Sequence, residues 1–200
     1  MTKFLLIRHA TTNAVGKHLS GRMPGVSLNN EGIQQAQRLA QRLAGLPISA
    51  IYSSPLERAV ETARPIAESH QLDCTTSTDF LELDFGKWTN CSFKDLENDP
   101  QFKLFNTFRS NTRIPDGELM TEAQLRIVTG LEKLCARHKD ETVAVVSHSD
   151  LIKAAVAFYA GMHLDMFQRI EISPASVSII EIYDDTARIV LLNHTGEPAV

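Results

Sequence analysis

The stretch Lys3-Phe4-Leu5-Leu6-Ile7-Arg8-His9 decides the fold. Lys3–Ile7 reads as a first strand whose apolar run does not alternate, the pattern of a strand buried on both faces of a helix-covered parallel sheet. A helix is predicted at Glu31–Ala44, with Ile33, Ala36, Leu39, Ala40 and Leu43 at helical spacing and Gly45 as its stop. Ile48–Tyr52 reads as a second strand. Pro55–Ser69 reads as a second helix with Leu56, Ala59, Val60, Ala63 and Ala67 on one face, Ser54 as N-cap, Pro55 at the first helical position and Glu57 completing a capping box. Residues 74–79 form a weaker third strand. Further along come a helix at about Thr121–Arg137, a strand at Thr142–Val146 and a helix at about Leu151–Gly161. Two last strands, about Val177–Tyr183 and Arg188–Leu192, are joined at Asp184-Asp185, a hairpin signal. Alternating strand and helix predicts an α/β fold, a mostly parallel central sheet with one antiparallel strand and helices on both faces.

Residues 84–117 break this rhythm. They hold Phe85, Phe93, Phe102, Phe105, Phe108 and the sole tryptophan, Trp88. The expectation is an excursion with its own small apolar cluster, forming part of the site mouth or a lid, within a single domain spanning 1–200.

Composition narrows the function. With 200 residues, 43% hydrophobic and 22% charged, the chain has the profile of a globular protein. Twenty basic against twenty-four acidic residues give a net charge of −4, which argues against a nucleic-acid partner. An anion site must therefore be built from a few placed cations. Cys74, Cys91 and Cys135 are far apart and show no zinc spacing, so they are expected as small core residues in a reducing cytoplasm. No apolar run approaches the roughly 20 residues of a membrane helix.

In open parallel sheets ligands bind beyond the carboxyl ends of the strands. Arg8-His9-Ala10-Thr11-Thr12 follows the first strand, Ser53-Ser54-Pro55-Leu56-Glu57-Arg58 the second and Ser147-His148-Ser149-Asp150 the late one, and Glu82 follows the weak third strand. Two guanidiniums give planar, permanently charged grips on phosphate oxygens. A neutral imidazole is a competent nucleophile toward phosphorus. A second imidazole, protonated, can donate to a phosphoryl oxygen, and a carboxyl group can protonate the leaving oxygen and then activate water. Fixed cations around a phosphoryl group supply most of the catalysis in such transfers.

Several motifs in order resemble those of the histidine phosphatase superfamily, in the branch related to cofactor-dependent phosphoglycerate mutase. Leu6-Ile7-Arg8-His9-Ala10-Thr11-Thr12 is similar to the family's opening signature, and Ser20-Gly21-Arg22 and Leu28…Glu31-Gly32 are similar to the family's next two stretches. Ser53 to Ala63 resembles the second-arginine motif, Leu81-Glu82-Leu83-Asp84-Phe85-Gly86-Lys87-Trp88 the acid motif, and Pro115-Asp116-Gly117-Glu118 and Val146-Ser147-His148-Ser149 the remaining two. The resemblance covers about residues 3–195. It implies a three-layer, phosphoglycerate-mutase-like fold and a phosphomonoesterase acting on a small phosphorylated metabolite, as in broad-specificity or α-ribazole-type phosphatases.

By the same resemblance His9 is the phosphorylated nucleophile, Glu82 the proton donor, and Arg8, Arg58 and His148 hold the phosphoryl group, with Thr12 contacting phosphate. Arg22 is a candidate guide for an anionic substrate at the mouth. Neither a metal nor an organic cofactor is implied. Two alternatives accompany this reading, a phosphoglycerate mutase and a non-catalytic phospholigand-binding domain. Mutases of this branch carry Gly-Asn-Ser after the second histidine, where this chain has Ser149-Asp150-Leu151. Ala10 stands where the family usually has glycine. Asp84 is read as structural. Lys17, His18, Arg109 and Arg113 are read as surface residues.

Overall fold

The computed structural model describes residues 1–196. Four strands run parallel: β1 (Thr2–Arg8), β2 (Ile48–Ser53), β3 (Cys74–Thr76) and β4 (Thr142–Ser147). With β5 (Val177–Ile182) and β6 (Ala187–His194) they form one sheet in the order β3-β2-β4-β1-β5-β6. β5 is antiparallel to both β1 and β6, so it is the single reversed strand that the terminal hairpin predicts.

The unbroken apolar run of β1 divides between two cores. Phe4 and Leu6, with Val143 and Val145 of β4, face one cluster; Leu5 and Ile7, with Ala144 and Val146, face the other. Helices α1 (Asn30–Leu43) and α2 (Glu57–His70) pack on the second face. The first face is covered by α5 (Met120–Arg137) and α6 (Ser149–Tyr159). At roughly 25 cal/mol per Å² of apolar surface, burial on both faces makes these two strands the centre of stability. No helix among the described residues is long and apolar enough to cross a membrane.

Several local expectations need correction. Ile33 lies at helical spacing in α1 yet is 47% exposed; the buried face is Gly32, Ala36, Leu39, Ala40 and Leu43. Gly32 is buried because α1 starts against the loop after β1, where an added Cβ would sit 2.0 Å from the Thr11 carbonyl oxygen. α2 begins at Glu57, not Pro55, with Leu56 as an N-cap that makes no side-chain cap. The capping box is absent because Glu57 Oε1 instead accepts from Gly25 N at 2.9 Å and Ser54 turns toward the site. The three cysteines are half-buried, not core.

The excursion does not form a cluster of its own. It contains the short helices α3 (Phe93–Leu96) and α4 (Pro100–Thr107), and Phe85, Trp88, Leu96, Phe105 and Ile114 join the α5/α6 core. Phe93 and Phe108 are exposed instead. Gly86 and Gly117 pin its two ends together. A Cβ on Gly86, whose φ is +44°, would lie 2.1 Å from the Pro115 carbonyl oxygen, and one on Gly117 2.4 Å from that of Asp84. Only glycine tolerates that approach.

Candidate active site

β1 and β4 are neighbours paired Arg8 to Ser147, so the residues just beyond their ends are brought side by side. His9 N donates to Ser147 O at 2.9 Å, and the His9 and His148 ring centroids lie 5.2 Å apart. The chain leaves β1 toward β2 on one side and returns through β4 to β5 on the other. This reversal makes the end of the β1–β4 pair a topological switch point, where a crevice opens. A cleft of about 210 Å³ lies there, lined by Arg8, His9, Thr12, Arg58 and Glu82 among others. That is below the size of a drug-like pocket and suits a small ligand.

The state of His9 is set by its surroundings. Its Nδ1 lies 2.8 Å from the Ala10 carbonyl oxygen, which can only accept, so Nδ1 carries the proton and Nε2 keeps its lone pair. Burial, reinforced by Arg58 and Arg8, pulls its pKa down to about 3. The ring is therefore a neutral imidazole across the physiological range. Ala10, fully buried, donates its N–H to Thr62 Oγ1 at 2.9 Å, and Thr62 in turn donates to Arg58 O at 2.7 Å. The first histidine loop and the second arginine are thereby tied together through α2.

Arg58 is 2% exposed. Its Nη2 donates to Gly21 O at 2.7 Å, while Nε and Nη1 have no partner among the described residues. Arg8 donates from Nη1 to Ile172 O at 2.6 Å, and its Nε is likewise unengaged. Desolvation lowers both guanidinium pKa values, with Glu82 opposing the effect. Buried cationic donors without acceptors are costly unless an anion completes them.

Glu82 stands on an irregular segment braced from behind. Its carbonyl accepts from Arg22 Nε at 2.9 Å and from Arg126 Nη2 at 3.4 Å. Glu118 closes the brace: it pairs with Arg22 Nη2 at 2.7 Å and Arg126 Nη2 at 3.1 Å and accepts from Asp84 N at 3.0 Å. Burial, aided by the charge of Asp150 and opposed by Arg58 and Arg8, raises the Glu82 pKa to about 7. A carboxyl tuned there can both give and take a proton near neutrality.

His148 is fully buried, and desolvation, then Arg58 and His9, hold its pKa well below the usual histidine value. That shift favours the neutral ring, in contrast to the protonated imidazole expected from the sequence. Its Nε2 lies 2.9 Å from Ser54 Oγ; its Nδ1 has no hydrogen-bond partner and lies 3.7 Å from Glu82 Oε2.

Thr12 is buried and its hydroxyl accepts from Ala14 N at 3.2 Å. Arg22 departs from expectation: it does not line the cleft but is consumed by Glu82, Glu118 and, at 3.6 Å, Asp84. Asp84 keeps its structural reading, with Oδ1 accepting from Gly86 N at 2.9 Å. Two residues read as surface are not. His18 lines the cleft, brought in by a backbone bridge to Ser92 of the excursion. Arg109 is 5% exposed, lies 4.3 Å from the Phe105 and 4.5 Å from the Phe167 ring centroids, and reaches the cleft residue Asp150 at 3.4 Å. Neither had a local signal, since both placements depend on the course of the excursion.

A sequence model of the histidine phosphatase superfamily (branch 1) matches residues 4–195. The chain belongs to that superfamily. It is 32% identical to phosphoserine phosphatase 1 of Hydrogenobacter thermophilus over 204 residues, covering 98% of this chain and 96% of that protein. It is 35% identical to the bifunctional protein Rv2228c of Mycobacterium tuberculosis over 202 residues, but spans only 54% of that relative's length. Among solved structures, Bacillus stearothermophilus YhfR superposes with a TM-score of 0.91 at 26% identity, covering 97% of this chain and 98% of that one. The order of the six strands and the helices flanking them are those of a phosphoglycerate-mutase-like α/β fold.

Proposed function

We propose that this chain hydrolyses a small phosphomonoester through a phosphohistidine on His9. One observation carries the reading: a neutral His9 ring, with its lone pair on Nε2, shares a cleft with a buried guanidinium (Arg58) and a half-buried one (Arg8), both with unengaged N–H groups, and with a carboxyl whose pKa is near 7. The dianionic phosphoryl group is held by Arg8 and Arg58. His9 Nε2 attacks phosphorus, the ester P–O bond breaks, and Glu82 gives its proton to the leaving oxygen. Water then attacks the phosphohistidine, Glu82 takes a proton from it, and the P–N bond breaks to release inorganic phosphate. Fixed guanidiniums stabilise the equatorial charge throughout. The similarity to a phosphoserine phosphatase along nearly the full length of both chains supports hydrolysis as the outcome.

The test is phosphate release from p-nitrophenyl phosphate and from a panel of phosphorylated metabolites, with 3-phosphoglycerate plus its bisphosphate as one arm. Turnover that disappears in His9→Ala supports the reading. Isomerised phosphoglycerate without released phosphate would replace it with a mutase, and binding without turnover would replace it with a phospholigand-binding module.

A further inference from the structure

Ser54 belongs to the second-arginine motif but has no part in the proposed hydrolysis steps. Its hydroxyl is fully buried, 2.9 Å from His148 Nε2. A buried hydroxyl has one proton to place and must place it. Among the described residues the only acceptor within reach of Ser54 Oγ is that ring nitrogen, while its oxygen already accepts from Leu56 N at 3.4 Å. A neutral imidazole has one N–H and one lone pair. If Ser54 donates to Nε2, the ring proton sits on Nδ1.

Nδ1 is the atom without a partner: buried, unbonded, and on the side of the Glu82 carboxyl. In the other tautomer Nε2 would donate to Ser54, leaving the hydroxyl proton without an acceptor and turning a lone pair toward the site. A lone pair repels a phosphoryl oxygen, whereas an N–H donates to it. We infer that Ser54 is a positioning residue that holds His148 in its Nδ1–H tautomer, so that a neutral ring presents a donor to the phosphoryl group. This explains how His148 serves without the positive charge that two nearby guanidiniums and burial deny it.

The inference rests on the phosphatase reading for its consequence, not for its geometry, and the two fail separately. Tautomers are read by ¹⁵N NMR of the histidine-labelled wild-type protein, which needs no turnover and no variant. The expected spectrum shows protonated Nδ1 and bare Nε2 for His148. Protonated Nε2 overturns the inference even if the enzyme is active. An inactive protein with protonated Nδ1 leaves the inference standing and removes the phosphatase reading.

Variants give the second readout. Ser54→Ala is expected to lower kcat for p-nitrophenyl phosphate roughly 10–100-fold, the usual cost of losing an outer partner that fixes a ring, with a smaller change in KM. Its His148 spectrum should show mixed tautomers. Ser54→Thr keeps the hydroxyl and should recover both kcat and the Nδ1–H form. Equal kcat and identical His148 spectra in wild type, Ser54→Ala and Ser54→Thr would overturn the assignment. If Ser54→Ala does not fold, the wild-type spectrum and Ser54→Thr decide the matter alone.

Discussion

The floor and the rim of the cleft are built on different principles. The floor is backbone-determined. His9, Arg58 and His148 are 5%, 2% and 0% exposed, and each sits where a central strand ends or a helix begins against the sheet. The rim is built largely from irregular segments. Its position depends on the Arg22–Glu118–Arg126 brace, on Arg109 lying between two phenylalanine rings, and on backbone bonds between residues 17–19 and 90–93. On the proposed function the chemistry falls to the buried floor, and substrate choice is expected of the more exposed rim.

The sharpest way to break this contrast is at Glu82, which the rim segment carries but the floor uses. Glu82→Gln should lower kcat by about 10²–10⁴, the range for losing a general acid–base. In the wild type, kcat should fall as pH rises through about 7, as the proton to be donated is lost. Stability should fall lower on the pH scale, between about 4.5 and about 7, and level off above that. The native carboxyl is raised to about 7 from an ordinary 4.5, so the native state holds a proton that the unfolded chain releases, and stability declines as pH climbs through that window. Glu82→Gln removes that decline. Denaturant titration should find the variant more stable by on the order of 2 kcal/mol at pH 8 and equal at pH 4.

A purely floor residue comes next. Arg58→Lys keeps the charge but loses the planar pair of unengaged donor nitrogens, Nε and Nη1. Its kcat/KM should fall about 10²–10³-fold. Inorganic phosphate should raise the Tm of the wild type and leave the variant's Tm nearly unmoved, because a ligand stabilises only the state that binds it. A full phosphate-induced shift in Arg58→Lys would place the anion elsewhere.

The same contrast explains what the sequence disclosed. The unbroken apolar run Phe4–Ile7 and its counterpart Val143–Val146 needed only local patterning to reveal a doubly covered parallel sheet. Once the strands are parallel, the residues at their ends must meet, so Arg8, His9, Arg58 and His148 were legible without geometry. Arg22 and Arg109 were not. Whether an arginine faces solvent, a carboxylate or two aromatic rings depends on where an irregular chain returns, and no periodicity encodes that. The capping reading at Ser54 failed because α2 starts at Glu57 with Leu56 as its N-cap, and the Ser54 hydroxyl meets instead a ring 94 residues away in sequence. Glu118 stood in a recognisable motif, but its brace on the Glu82 segment emerged only in three dimensions.

Rim substitutions should have the smallest effects. Arg22→Met removes the bond to the Glu82 carbonyl and the pair with Glu118, and should cost about tenfold or less in kcat/KM with a stability loss of about 1–2 kcal/mol. Phe93→Ala, at a cleft-lining side chain 42% exposed, should change kcat for p-nitrophenyl phosphate by less than about threefold while altering the ranking of bulkier esters. A hundredfold loss in kcat from Phe93→Ala would erase the distinction between floor and rim.

The central claim is that a neutral His9 becomes covalently phosphorylated. The most direct measurement is rapid alkaline quench after mixing with a labelled phosphomonoester, then peptide mapping. Acid-labile, base-stable label on the peptide containing His9, accumulating within one turnover and absent in His9→Ala, is the predicted result. Ester hydrolysis proceeding at full rate with no label on His9 at any time would contradict it.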